Sequence, residues 1–189
     1  MKRKTGTVCM ILGAAFVLAA LSLLFWNRLE DKRAGDSANL VLSRLEQEIG
    51  GEDISDDTGM REVEIDGYFY IGILSVPSRG LKLPVMASWN YQQLKIAPCR
   101  YAGSTKTGDL VIAGHNYTRH FGPIRDLAAG DEIYFMDMDG VVTAYEVAVT
   151  DTLRAADVEE MTDSGYELTL FTCSYGGKKR VAVRCSAIE

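Results

Sequence analysis

Two apolar segments end on side chains able to do covalent chemistry. Thr169-Leu170-Phe171-Thr172-Cys173 delivers a thiol at the boundary between a strand and a turn, and Arg180 follows beyond Ser174-Tyr175-Gly176-Gly177. Val111-Ile112-Ala113-Gly114-His115-Asn116 delivers an imidazole at the start of a loop. A cysteine inside an apolar strand is usually inert packing, whereas one at a strand end is accessible. Thiol plus distant imidazole is the minimum for thiol acyl transfer: a nucleophile, and a group that gives and takes a proton. The chain has only two histidines, His115 and His120, five residues apart, which concentrates the titratable nitrogen at one place.

The elements that must position these groups are short strands. Tyr68–Val76 is rich in strand formers and stops at Pro77, and Leu81–Met86 follows a Ser-Arg-Gly turn. Leu110–Ala113 reads as a buried strand. Glu132–Met136 and Val141–Val149 flank Asp139-Gly140, a hairpin signal. Leu168–Thr172 and Arg180–Cys185 flank the second turn. Only short helices fit between, at Tyr91–Ile96, Pro123–Leu127 and Ala155–Met161. This pattern predicts a mostly β fold, a barrel or sandwich over residues 66–189.

The 189 residues are 47% hydrophobic and 24% charged, which excludes a disordered, collagen-like or repeat chain. A net charge of −6 argues against binding nucleic acid through bulk positive charge. Four scattered cysteines without C-x-x-C spacing form neither a disulfide scaffold nor a zinc site. Thr7–Trp26 is 20 residues without charge or proline, roughly 30 Å as a helix, the thickness of a bilayer's hydrocarbon core. Lys2, Arg3 and Lys4 precede it and no A-x-A-like cleavage site follows, so 7–26 reads as a retained signal-anchor after a tail of residues 1–6. Basic residues on the two sides nearly balance; a tail this short fits best in the cytoplasm, with residues 27–189 outside. The first 26 residues hold three of the 20 basic residues and none of the 26 acids, so the remainder carries −9. Residues 27–65 read as a helical stalk and acidic linker. Its helix runs from Arg28 to Gly50, with Ser37 as a cap and Leu40, Leu45 and Ile49 near one face, packing partly on the domain. The acidic stretch after Gly51 reads as a mobile connection.

The sequence resembles the sortases, the membrane-anchored cysteine transpeptidases of Gram-positive bacteria. The family's T-L-x-T-C stands as Thr169–Cys173, its G-H strand end as Gly114-His115 about 60 residues upstream, and its final-strand arginine as Arg180. The similarity runs from about Tyr68 to Ile188, and the N-terminal anchor fits it. The resemblance implies an eight-stranded β-barrel holding His115, Cys173 and Arg180 in one groove. It implies attack by Cys173 on an LPxTG-like C-terminal sorting signal, proton transfer by His115, and Arg180 holding the oxyanion or the substrate backbone. Thr172, positioned by its strand, reads as a substrate-binding residue through a side-chain contact. The partners implied are secreted proteins bearing the signal, and an amine acceptor in a peptidoglycan cross-bridge or a pilin lysine. The location implied is the cell membrane, with the catalytic domain extracytoplasmic; no cofactor is implied.

Each assignment has a rival. Arg184 lies on the same strand face as Arg180 and reads as a solvated surface charge. His120 reads as a loop residue at the groove rim. Cys99 reads as a buried or half-buried thiol, and an outside location permits a Cys99–Cys185 disulfide. Asn116 and Tyr117 are placed near the groove, while Trp89 and the tyrosines read as core or edge residues. Asp137-Met138-Asp139-Gly140 superficially resembles part of a calcium loop, but a hairpin turn explains it better. Two other functions fit the same residues: a tethered cysteine peptidase that hydrolyses, and a peptide-binding module without catalysis.

Overall fold

A computed structural model describes residues 2–50 and 59–188. The acidic segment anticipated as mobile lies almost entirely outside the described residues. The chain divides into two units, residues 1–33 and 34–189.

The first unit is the N-terminal part of α1 (Lys2–Glu48). Its apolar side chains, Leu12, Phe16, Leu23 and Trp26 among them, are exposed along the helix. Among the described residues this is the one helix long and apolar enough to cross a bilayer. Helix is continuous through Arg28 and Ser37, so Ser37 is no cap. Nothing from Asn27 to Asp36 halts a helix: there is no proline, and most residues there are good helix formers.

The second unit begins inside α1. Ala38, Val41, Leu42 and Leu45 are buried, at the i, i+3, i+4, i+7 spacing of one helix face. Leu40 is 61% exposed. Five residues turn a helix through about 500°, so Leu40 points some 140° away from Leu45. Packing of the stalk on the domain is thus substantial, and each buried Val or Leu contributes roughly 1.5–3 kcal/mol.

Nine strands follow: β1 (Val63–Ile65), β2 (Tyr68–Val76), β3 (Leu81–Met86), β4 (Cys99–Ala102), β5 (Leu110–Gly114), β6 (Glu132–Asp137), β7 (Val142–Arg154), β8 (Leu168–Cys173) and β9 (Lys179–Ala187). Their order is β1-β2-β3-β4-β5-β8-β9-β7-β6, and pairing of β6 with β2 closes the last eight into a barrel. Closure leaves no free edge there. β1 is a short hairpin partner of β2 outside the ring. The pairs β3–β4 and β5–β8 are parallel and the rest antiparallel. Between β7 and β8 lies α2 (Val158–Thr162), the only helix after α1 that is not 3₁₀ among the described residues.

Strand alternation sorts side chains into two packed layers. Leu110, Ile112, Leu168, Leu170, Val183 and Cys185 fill the barrel interior with Ile71, Phe135 and Val147. Val111, Ala113, Phe171 and Ala182 face the other way and pack with Leu45, Cys99 and Met161. The second layer is the floor on which the site is built. The hairpin reading of Asp137–Gly140 holds: Asp137 Oδ1 accepts from the amides of Asp139 and Val141, at 3.1 and 2.9 Å, and Gly140 takes φ 83°.

Candidate active site

Strand register brings the three sequence-predicted groups to one level. In the parallel β5–β8 pair Gly114 stands opposite Thr172, so the next residues, His115 and Cys173, leave the two strands side by side. In the antiparallel β8–β9 pair Cys173 stands directly opposite Arg180. His115, Cys173 and Arg180 therefore form a row across adjacent strand ends. The period-2 alternation puts them on the same face as Ala113, Phe171 and Ala182, outside the barrel core. All three line a cleft of about 190 Å³.

The backbone around the row is tied down. Thr172 is 1% exposed, and its hydroxyl donates to the Gly114 carbonyl at 2.8 Å, fastening β8 to β5 immediately beneath the thiol and imidazole. The Asn116 side-chain amide donates to the Cys173 carbonyl at 3.1 Å, a second tie between the same two loops. The Phe121 amide donates to the His115 carbonyl at 3.0 Å, and its ring packs on Gly114. A Cβ on Gly114 would stand 2.5 Å from that ring, so the residue before His115 has to be glycine for Phe121 to seat there. The rings of His115 and Tyr117 lie 4.9 Å apart, centroid to centroid. Arg180 Nη1 donates to the carbonyls of Gly177 and Lys179, at 3.0 and 3.2 Å.

Of the four cysteines, Cys173 is the one at the cleft, and it is half-buried. Cys99 and Cys185 are free thiols, not a disulfide. Cys99 pairs across from Ala113 near the site end of the sheet, whereas Cys185 stands across from Leu168 at the far end and on the interior face. Burial pushes each of these two thiols up to about 12. Only the thiolate is nucleophilic, so both are inert at neutral pH.

Other expectations change. Arg184 is not a solvated charge: its side chain is 9% exposed, its Nε donates to Asp151 at 2.8 Å, and its guanidinium lies 5.9 Å from the Tyr166 ring. β9 runs between β7 and β8, so the middle of this strand is covered from both sides. His120 is fully buried rather than at the rim, with its ring 5.8 Å from that of Tyr117. Trp89 and Tyr91 belong to the cleft wall. Trp89 touches Tyr91 and Tyr101, at centroid separations of 5.8 and 5.1 Å, and Tyr101 meets Phe171 edge-on at 5.1 Å. Phe171 was findable in the sequence, since it shares a strand face with Cys173. Leu94, Val158 and Met161 complete the apolar wall.

A thiol, an imidazole and a guanidinium in one cleft are the parts that cysteine-based acyl transfer requires. Residues 74–188 match the model of the sortase domain, and the chain belongs to the sortase family, whose members are cysteine transpeptidases. It is 34% identical over 111 residues to sortase A of Bacillus anthracis, an alignment covering 54% of this chain and 51% of that protein. The chain thus spans about half the length of that relative. Among solved structures, sortase A from Corynebacterium diphtheriae superposes with a TM-score of 0.59 at 22% identity, covering 65% of this chain and 62% of that one. Sortase C1 from Streptococcus suis gives 0.55 at 25%, covering 64% and 73%. Sortase C from Clostridium perfringens SM101 gives 0.56 at 22%, covering 85% and 90%.

Proposed function

We propose that this chain is a membrane-tethered transpeptidase that cleaves an LPxTG-like C-terminal sorting signal and joins the acyl part to an amine. The observation that carries the reading is the register that sets His115, Cys173 and Arg180 in one row at the mouth of an apolar cleft. The Cys173 thiolate attacks the carbonyl carbon of the scissile peptide bond, forming an S–C bond. The C–N bond then breaks as His115, in its imidazolium form, gives a proton to the departing amine. An incoming amine attacks the thioester, loses its proton to His115 and releases the thiolate. The Arg180 fork faces the negative charge that develops on the carbonyl oxygen, and stays charged at any working pH. Thr172 lines the same cleft and contacts the substrate there, while its hydroxyl, donating to the Gly114 carbonyl, holds the two reactive strand ends together.

The aromatic and aliphatic wall from Trp89 to Met161 gives the residues before the scissile bond an apolar seat. The acceptor is an amine of a peptidoglycan cross-bridge or of a pilin lysine. Residues 7–26 anchor the chain in the cell membrane, with the catalytic domain extracytoplasmic and residues 1–6 inside. The functional domain takes in 66–189, with 27–65 as its stalk and linker.

The test is mass spectrometry of the enzyme after exposure to a library of LPxTG-like peptides, with and without an added amine. The expected result is a thioacyl adduct on Cys173 that passes to the amine. Release as free acid alone, amine present, would make the protein a peptidase. Absence of any adduct across the library would leave a peptide-binding role.

A further inference from the structure

We propose that Arg125 and Tyr175 form a clasp that holds the β8–β9 turn, and through it Arg180, in register with the loop carrying His115. Tyr175 lies two residues after Cys173 and is 83% exposed, yet the Arg125 guanidinium carbon sits 4.1 Å from the centre of its ring. A guanidinium over a phenol face at that distance is an attractive electrostatic contact.

Each end of the clasp is rooted in one half of the site. Arg125 belongs to the 3₁₀ turn Gly122–Asp126, and its Nε donates to the Gly122 carbonyl at 2.6 Å. The Gly122 amide donates to the Tyr117 carbonyl at 2.8 Å, and that of Phe121 to the His115 carbonyl at 3.0 Å. The base of Arg125 is therefore fixed to the histidine loop. At the other end, the Gly177 amide donates to the Ser174 carbonyl, and the Gly177 carbonyl accepts from Arg180 Nη1. The base of the turn is closed by the Ser174 amide donating to the Lys179 carbonyl at 2.9 Å and the Lys179 amide to the Ser174 hydroxyl at 3.1 Å. Its tip carries two glycines in the left-handed region, φ 80° and 72°, whose backbone freedom a contact from outside the turn narrows. The contact between the Tyr175 ring and Arg125 is of that kind. Neither side chain lines the cleft, so both act through Arg180 as positioning residues. The inference rests on the role given to Arg180 above.

The test combines kinetics with amide exchange on the full chain. Arg125→Met and Tyr175→Leu each lower kcat by roughly two- to fivefold, the factor corresponding to an exposed cation–π contact, with KM unchanged. Tyr175→Phe keeps the ring face and stays at the parent rate. The double variant Arg125→Met/Tyr175→Leu is no slower than either single one, because one interaction is lost only once. Solvent exchange of the Gly177 amide, followed by NMR, speeds up in Arg125→Met and Tyr175→Leu but not in Tyr175→Phe. Additive losses in the double variant, a Phe variant as slow as the Leu variant, or unchanged Gly177 exchange would each overturn the clasp. Faster exchange with no change in kcat would overturn its service to the reaction. The exchange measurement needs no turnover, so it stands even if Cys173 proves not to be the nucleophile.

Discussion

Arg180 and Arg184 leave the same face of one strand, four residues apart, and end in opposite circumstances. Arg184 is covered by the neighbouring strands and paired with a carboxylate, Asp151. Arg180 is at the open end, held by the neutral carbonyls of Gly177 and Lys179. A guanidinium whose charge is matched by a carboxylate has its field spent locally. One held by neutral carbonyls keeps its net charge available to a negative group in the cleft. Position along the strand, rather than residue type, separates the structural arginine from the one at the cleft.

The largest effect should come at the thiol opposite Arg180. Cys173→Ala is expected to abolish thioacyl formation and turnover while the far-ultraviolet spectrum and melting temperature stay at parent values; adduct on Cys99 or Cys185 would break the assignment. Arg180→Lys keeps the charge and loses the planar fork, so kcat should fall by about 10²–10³-fold with KM little changed. A rise in KM alone would make Arg180 a substrate anchor. Arg184→Ala should do the reverse, sparing kcat while lowering unfolding free energy by about 1–2 kcal/mol, since the arginine is buried but Asp151 is 40% exposed. Should the turnover of that variant fall as far as that of Arg180→Lys, the contrast between the two arginines disappears.

The smallest effect near neutrality concerns the layers beneath both arginines. Burial pushes the Cys99 and Cys185 thiols, and the Tyr70 and Tyr145 phenols, each up to about 12. These groups keep their protons in the folded state at a pH where the unfolded chain releases them. Their contribution to stability is therefore fully present below the ordinary thiol range, near 9, and is lost as pH rises toward 12. The urea midpoint should be insensitive to these groups between pH 7 and 8 and fall steadily above 9. A midpoint that holds constant to pH 11 would contradict it.

Much of the site was legible because strand chemistry is local. An apolar run ending in Cys173, another ending in Gly114-His115, and a turn leading to Arg180 all declare themselves through alternation and turn residues. β4 and β1 did not. Cys99–Ala102 is four residues long and takes strand form through its ladder with β5 and its single bridge to β3. β7 runs on to Arg154, beyond the Val149 expected, because β9 supplies partners as far as Lys179.

What the sequence determined by itself is the inventory: the mostly β character, an apolar helix of membrane-spanning length, and the thiol, imidazole and arginine at strand ends. Those features follow from periodicity and residue chemistry within a few positions of one another. The tertiary structure alone decided which charges are covered and which rings wall the cleft. Asp151 comes to Arg184 because β7 pairs with β9 in the register that sets Asp151 opposite Ala182, within diagonal reach across the pair. His120 is buried, and Trp89, Tyr101 and Met161 share one cleft, because barrel closure brings together segments up to 72 residues apart. Burial and pairing are properties of the neighbours a side chain acquires, and in a closed barrel those neighbours come from strands remote in the chain.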